Sequence, residues 1–156
     1  MQDTLHICFG TMTGNAETLA TEAHERAQTD GWSSRLLNLM DVAPGDLTDW
    51  RLALFVVSTW GDGEPPDDAA DFWYALESAD LDLSGLTYSV LGLGDKDYDD
   101  FNGFARCLDE RLAALGATRL IDRVEADLDF EDTYAEWVNR VFPQLDQRRQ
   151  PVPSAD

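Results

Sequence analysis

An α/β fold built around a parallel sheet is what this sequence predicts, on three observations. Short apolar runs at Leu5–Gly10, Leu52–Thr59 and Leu86–Gly94 carry no polar alternation, as strands buried on both faces require. Segments with a helical apolar period separate them. Glycine-containing loops follow the first, third and fourth strands, all of which would open on the same sheet edge.

Each element has its own warrant. Leu5–Gly10 is too short for a helix and reads as the first strand. Residues 14–29 place Ala16, Leu19, Ala20, Ala23 and Ala27 on one face, with Glu17, Glu22, Glu25 and Arg26 outside, and Asp30-Gly31 ends the helix. Ser34–Leu39 is a second, weaker strand, followed by an irregular connection over Met40–Asp49 with Pro44 and Gly45. After Leu52–Thr59, the strongest strand, a loop over 60–66 leads into a helix at Asp67–Ala79 whose inward side is Ala70, Phe72, Trp73 and Leu76. A turn at Asp82–Gly85 precedes the fourth strand, Leu86–Gly94. Phe101–Gly116 is a helix with Phe104, Cys107, Leu108, Leu112 and Leu115 inward, Thr118–Val124 the fifth strand, and Asp132–Leu145 the closing helix with Tyr134, Trp137, Val138 and Val141 inward. One domain over 1–146 and a fraying, Pro-containing tail over 147–156 are expected.

The charge is the composition's strongest statement. With 31 acidic against 11 basic residues the formal net charge is -20. Nucleic acid and anionic membranes would be repelled, whereas basic protein surfaces would be attracted with salt-sensitive on-rates. Adaptation to a salty cytoplasm fits the same numbers, since Lys96 is the single lysine. Cys8 and Cys107 have no metal or redox spacing and read as free thiols in a reducing compartment. No apolar run approaches the roughly 18 residues of a membrane span, and no export signal stands at the N-terminus, so a cytoplasmic monomer is expected.

The chemistry lies in the loops. Phe9–Glu17, F-G-T-M-T-G-N-A-E, offers side chains of Thr11, Thr13 and Asn15 and backbone N–H groups around Gly10 and Gly14 just before a helix N-terminus, which suits a phosphate. It lacks the lysine of a triphosphate loop and the three-glycine spacing of a dinucleotide loop, so a monophosphate fits better. An ordinary strand-to-helix turn capped by Thr11 or Thr13 fits the same residues. Strand three ends in S-T-W-G-D-G-E-P-P (Ser58–Pro66) and strand four in G-L-G-D-K-D-Y-D-D-F-N (Gly92–Asn102). Trp60 and Tyr98, on neighbouring loops, can sandwich a planar heterocycle by stacking, each face adding roughly 0.5–1.5 kcal/mol beyond area burial. No general acid–base pair or nucleophile accompanies them: His6 sits in a strand and His24 on a helix, so no catalytic residue and no metal ligand is assigned.

G-T-M-T-G-N-A-E, S-T-W-G-D-G-E-P-P-D-D and L-S-G-L-T-Y-S-V-L-G-L-G-D-K-D-Y-D-D-F-N, in that order and each after a strand, resemble the flavodoxin family, in particular the branch that includes the FMN domains of diflavin reductases. The match runs from about residue 5 to 145, with A-D-L-D-F-E-D at 126–132 resembling the family's start of the last helix. No long insertion splits the fifth strand, as in the short-chain form. The resemblance implies a flavodoxin-like three-layer sandwich, a five-stranded parallel sheet of order 2-1-3-4-5 with helices on both faces, and FMN as cofactor.

It further implies that Thr11, Met12, Thr13, Gly14, Asn15 and Ala16 hold the FMN phosphate. Trp60 and Tyr98 would flank the isoalloxazine, and Ser58, Thr59, Gly61, Asp62, Gly63, Leu93, Gly94 and Asp95 would border the ring, largely through main-chain groups. Phe101, Asn102 and Asp127 complete the implied set as neighbours of the ribityl chain or more distant contacts. Met12 departs from the polar residue many relatives carry, and Asp95 from the branch's frequent asparagine. The function implied is an electron carrier, not an enzyme, passing single electrons from an NAD(P)H-dependent flavoprotein reductase to a redox enzyme with a basic docking surface. A weakly FMN-binding accessory protein and an FMN-dependent quinone reductase are the alternatives.

Overall fold

The structure of the chain, a computed structural model, describes residues 4–10, 14–59, 65–94, 103–127 and 130–148. Its strands are β1 (Thr4–Gly10), β2 (Ser33–Asn38), β3 (Leu52–Ser58), β4 (Thr87–Leu93), β5 (Thr118–Arg119) and β6 (Val124–Ala126). Its helices are α1 (Asn15–Thr29), α2 (Asp67–Glu77), α3 (Gly103–Ala114) and α4 (Glu131–Arg148). The sheet is parallel in the order β2-β1-β3-β4-β5, with β6 also pairing β4, and helices cover both faces. That is the flavodoxin-like order expected from the sequence.

Alternation along the strands divides the core into two. Leu5, Ile7, Phe9, Leu52, Leu54, Val56, Leu91 and Leu93 pack against Ala16, Leu19, Ala20, Ala23 and Ala27 of α1 and Trp137, Val141 and Phe142 of α4. Cys8, Ala53, Phe55, Val57, Tyr88 and Val90 point to the other face, against Phe72, Trp73 and Leu76 of α2 and Phe104, Leu108 and Leu112 of α3. Every residue of β3 is buried, as a central strand demands.

Several expectations need correction. The inward residue of the first turn of α2 is Ala69 rather than Ala70, completing the i, i+3, i+4, i+7 row with Phe72, Trp73 and Leu76. A β-carbon at Gly10 would stand 2.9 Å from Ala69 Cβ, so the missing side chain at the end of β1 lets α2 approach the sheet. On α3, Cys107 and Leu115 pack half-buried against the core as expected, and a further inward position beside Leu108 belongs to the charged Asp109, which is 2% exposed.

The fifth strand, read as one run to Val124, is two short pieces flanking Leu120–Arg123. The Leu120 N–H still donates to the Tyr88 carbonyl of β4 at 2.7 Å, and beyond it Arg119 Nε reaches Asp109 Oδ1 at 2.8 Å and Arg123 Nη1 reaches Asp109 Oδ2 at 2.6 Å, both guanidinium groups converging on one buried carboxylate. Tyr88 completes the cluster, its hydroxyl 2.6 Å from Asp109 Oδ1, and burial followed by the neighbouring Asp109 pushes its ionisation well up.

The connection over Met40–Asp49 is more regular than expected, with 3-10 turns at Leu39–Asp41 and Pro44–Asp49. Asn38 Oδ1 accepts the Met40 N–H at 2.9 Å, and Asp46 Oδ2 accepts that of Ala43 at 3.1 Å. Helix α4 includes Pro143 and runs to Arg148, two residues into the stretch expected to fray.

Candidate functional site

The strand order places β1 between β2 and β3, so the chain leaves β1 to one side and later returns to its other side. In such sheets the crevice for a ligand opens beyond the carboxyl ends of the two strands at that reversal, here β1 and β3. Register brings those ends into one row: Gly10 stands opposite Val57, Ser58 opposite Leu93, and Leu93 opposite Ala126. Hydrogen bonds extend the row by one residue. Thr59 N–H donates to the Leu93 carbonyl at 2.9 Å and Gly94 N–H to the Ala126 carbonyl at 2.9 Å.

At the β1 end, α1 starts with Gly14 as its N-cap residue, at φ 92, and a glycine brings no side chain of its own to cap the helix. Neither threonine is therefore the cap residue. The left-handed conformation favours glycine, and a β-carbon there would meet nothing within 4 Å. Thr18 N–H is the first to find an intrahelical acceptor, the Gly14 carbonyl at 3.0 Å. The amides of Asn15, Ala16 and Glu17 precede it and are aimed off the sheet edge, where helix geometry concentrates partial positive charge. Ala16 is fully buried in the core, so its contribution is its N–H, whereas the Asn15 side chain is exposed.

The other strand ends supply main chain rather than side chains. Leu93 and Ser58 are buried, and Asp127, directly after β6, is half-buried. Thr59 Oγ1 accepts the Phe104 N–H at 3.2 Å, which joins the end of β3 to the start of α3. Phe104 is held in turn by an edge-on contact with Trp73, ring centroids 5.7 Å apart. Beside α1, Asn15, Thr18, Leu19 and Glu22 face Phe130, Glu131 and Tyr134 across a groove of about 460 Å³. Burial there, with Glu22 beside it, pushes the Tyr134 hydroxyl's ionisation up.

Of the residues expected to bind cofactor, Gly14, Asn15, Ala16, Ser58, Thr59, Leu93, Gly94 and Asp127 are described. Thr11, Met12, Thr13, Trp60, Gly61, Asp62, Gly63, Asp95, Tyr98, Phe101 and Asn102 lie outside the described residues. Near the site's rim, Asp67 and Asp68 begin α2, and Asn38 Nδ2 donates to Asp68 Oδ2 at 3.2 Å. The histidines stay away, as expected. His6 is 7% exposed, stacked on Trp50 at 4.0 Å, and burial pulls its pKa down; His24 Nδ1 lies 2.7 Å from Ser34 Oγ. Among the described residues no group of three His, Cys, Asp or Glu could hold a metal ion, and no helix is long and apolar enough to cross a membrane.

Two contributions escaped the sequence reading. The Thr59 hydroxyl leaves no local signal, because its partner is 45 residues away. Asp109 did leave one: it lies four residues after Ala105 and three before Leu112, on the inward arc of α3.

Comparison with known proteins agrees with this geometry. The family model described as flavodoxin matches residues 7–137. The flavoprotein alpha-component of the NADPH sulfite reductase of Bacillus subtilis is 37% identical over 142 residues, 90% of this chain and 24% of that protein. The NADPH–cytochrome P450 reductase of Cavia porcellus is 35% identical over 146 residues, 89% of this chain and 22% of that protein. The chain thus spans about a quarter of the length of these relatives. A solved flavodoxin of Streptococcus pneumoniae superposes with a TM-score of 0.81 at 28% identity, covering 92% of this chain and 99% of that one.

Proposed function

The chain belongs to the flavodoxin family, and from that membership we propose that it carries single electrons between a reductase and an acceptor protein. FMN is the cofactor. The observation that carries the reading is the start of α1: a helix N-terminus opened by a left-handed Gly14 at its N-cap position, at the strand-order reversal. Three consecutive N–H groups with the helix dipole behind them fit a terminal phosphate monoester. They do so without a cation, which accords with the absence of lysine and arginine from residues 10–17.

Held there by its phosphate, a flavin would extend past the ends of β3 and β4. Ser58, Thr59, Leu93 and Gly94 would border its ring, Trp60 and Tyr98 would flank its faces, and Asn102 and Asp127 would lie toward the ribityl chain. When bound, FMN supplies the redox chemistry, accepting and releasing electrons one at a time. The chain's own residues tune it. Asp67 and Asp68 at the rim, with Asp62, Glu64, Asp95, Asp97, Asp99 and Asp100 in the adjoining segments, disfavour further negative charge and so resist the second electron more than the first. The same carboxylates would present an acidic rim to a basic redox partner.

An NADPH-dependent flavoprotein reductase as donor fits the company this chain keeps, since both of those longer relatives are named for NADPH. The test is an anaerobic reductive titration of the FMN-loaded protein. Two well-separated one-electron steps are expected, with no NADPH oxidation until a flavoprotein reductase is added. Turnover of NADPH and a quinone by the chain alone would instead make it an enzyme.

A further inference from the structure

Helices α1 and α4 cover the same face of the sheet, both starting at the carboxyl edge of its strands, and one chemistry recurs along the line between them. At the far end of that line Arg26 of α1 lies over the Phe142 ring of α4, its guanidinium carbon 4.9 Å from the centroid, while its Nε holds Asp30 Oδ2 at 3.1 Å. A cation, an aromatic face and a carboxylate meet there. Toward the carboxyl edge the line opens into the groove of about 460 Å³. Glu22, one turn before Arg26, and Glu131 supply carboxylates to it; Tyr134, two turns before Phe142, and Phe130 supply rings, with the buried Leu19 beneath. None of the residues lining this groove is basic.

The groove is set for a cation of a particular shape. Glu22 and Glu131 are exposed, so their charges face a partner. The half-buried Tyr134 ring is placed against Trp137, centroids 6.2 Å apart, and the Tyr134 main-chain N–H donates to the Phe130 carbonyl at 2.8 Å, so one turn of backbone carries both rings. Burial, then the Glu22 carboxylate, push the Tyr134 hydroxyl's ionisation up against an opposing pull from Arg26, so a negative field reaches the ring. Arg26 itself is engaged by Asp30 and Phe142. A planar guanidinium satisfies both halves of the groove, its flat face stacking on a ring while its N–H fork reaches a carboxylate. A lysine ammonium offers a point charge and no face.

We propose that the groove between α1 and α4 receives an arginine side chain of the basic redox partner, its guanidinium stacked on the Tyr134 and Phe130 rings and bonded to Glu22 and Glu131. This rests on the electron-carrier reading above. The net charge of -20 makes a basic protein, rather than a second copy of this chain, the occupant, since two such chains repel each other. The groove reaches Asn15, the first residue of α1, so an arginine held there anchors the partner at the cofactor end of the molecule.

The test titrates the FMN-loaded, isotopically labelled chain with tetra-arginine and with tetra-lysine, peptides of equal charge, and follows the backbone amides. Saturable shifts are expected at Thr18, Glu22, Glu131 and Tyr134, with tetra-arginine bound about threefold tighter than tetra-lysine. Glu22→Gln combined with Glu131→Gln weakens tetra-arginine by about fivefold. Glu77→Gln combined with Glu110→Gln removes as much charge from exposed positions of α2 and α3 and changes the affinity by less than about twofold. Tyr134→Leu erases the preference for arginine and Tyr134→Phe keeps it; should Tyr134→Leu not fold, the two glutamate pairs and the shift map decide. Equal losses in the two pairs, equal affinity for the two peptides, or shifts centred elsewhere would each overturn the inference. So would shifts at the groove that grow with protein concentration in the absence of peptide, the sign of a second copy seated there. A chain that takes up FMN and reduces cytochrome c yet fails the titration loses this inference alone; one that passes no electrons loses the carrier reading and the inference with it.

Discussion

Replacing Asp109 by alanine lowers the stability of the apoprotein by about 3 kcal/mol, a fall of roughly 6–12 °C in melting temperature for a domain of this size. The carboxylate is 2% exposed and accepts from Tyr88, Arg119 and Arg123. Removing it leaves Tyr88 with the Asp109 main-chain carbonyl alone, at 2.8 Å, and leaves Arg123, whose side chain is 21% exposed, with Glu125. Arg119, 42% exposed, can turn to water, which keeps the loss toward the lower end of the range for broken buried pairs. A useful contrast is the surface pair Arg26–Asp30, whose side chains are 42% and 28% exposed and where Asp30→Ala should change stability by about 0.5 kcal/mol or less. Urea denaturation with unchanged m-values separates the two. An Asp109→Ala chain as stable as wild type would show that the cluster does not hold the two halves of the fifth strand in place.

Electron transfer to cytochrome c, a basic haem protein, slows by about 10- to 100-fold between roughly 50 and 500 mM salt. The Debye length falls over that range from about 14 to about 4 Å, so attraction steered by the net charge of -20 is largely screened at the upper end. Ferricyanide, a small anionic acceptor, gives the opposite sign: repulsion is screened and its rate rises with salt. Stopped-flow mixing of the reduced, FMN-loaded protein with each acceptor measures both. A cytochrome c rate that does not depend on salt would assign the acidity to some purpose other than docking.

How much was legible in the sequence varies with how local the cause is. The buried face of α1, Ala16 through Ala27, follows from helical periodicity alone, and the structure buries those same residues. Strand β3 follows from an apolar run that tertiary packing then encloses on both sides. On α2 the sequence reading put Ala70 inward where Ala69 is buried, and the close approach of Ala69 to Gly10, 59 positions away, is a contact that no local pattern encodes. The cluster beside the break between β5 and β6 has the same character. Arg119 and Arg123 look like surface charges until Asp109 of α3 is brought beneath them.

The site was legible in a different way. Loop sequences marked where chemistry belongs, and the strand order puts the start of α1 and the ends of β3, β4 and β6 together as those loops require. The division of labour within the loops was less so. Thr59 shares one residue type with the phosphate-loop threonines, yet its hydroxyl serves α3. Gly14, not a threonine, stands at the cap of α1.

The account stands most directly on where FMN binds. Adding FMN to the isotopically labelled apoprotein, followed by backbone amide resonances, should saturate at one FMN per chain. The largest shifts should fall at Asn15 and Ala16 of α1, at Thr59 and Gly94 beyond β3 and β4, and at Asp127, with Asp82, in the connection before β4, and Thr118, at the start of β5, unmoved. No saturable binding, or shifts centred on Asp82 and Thr118, would contradict it.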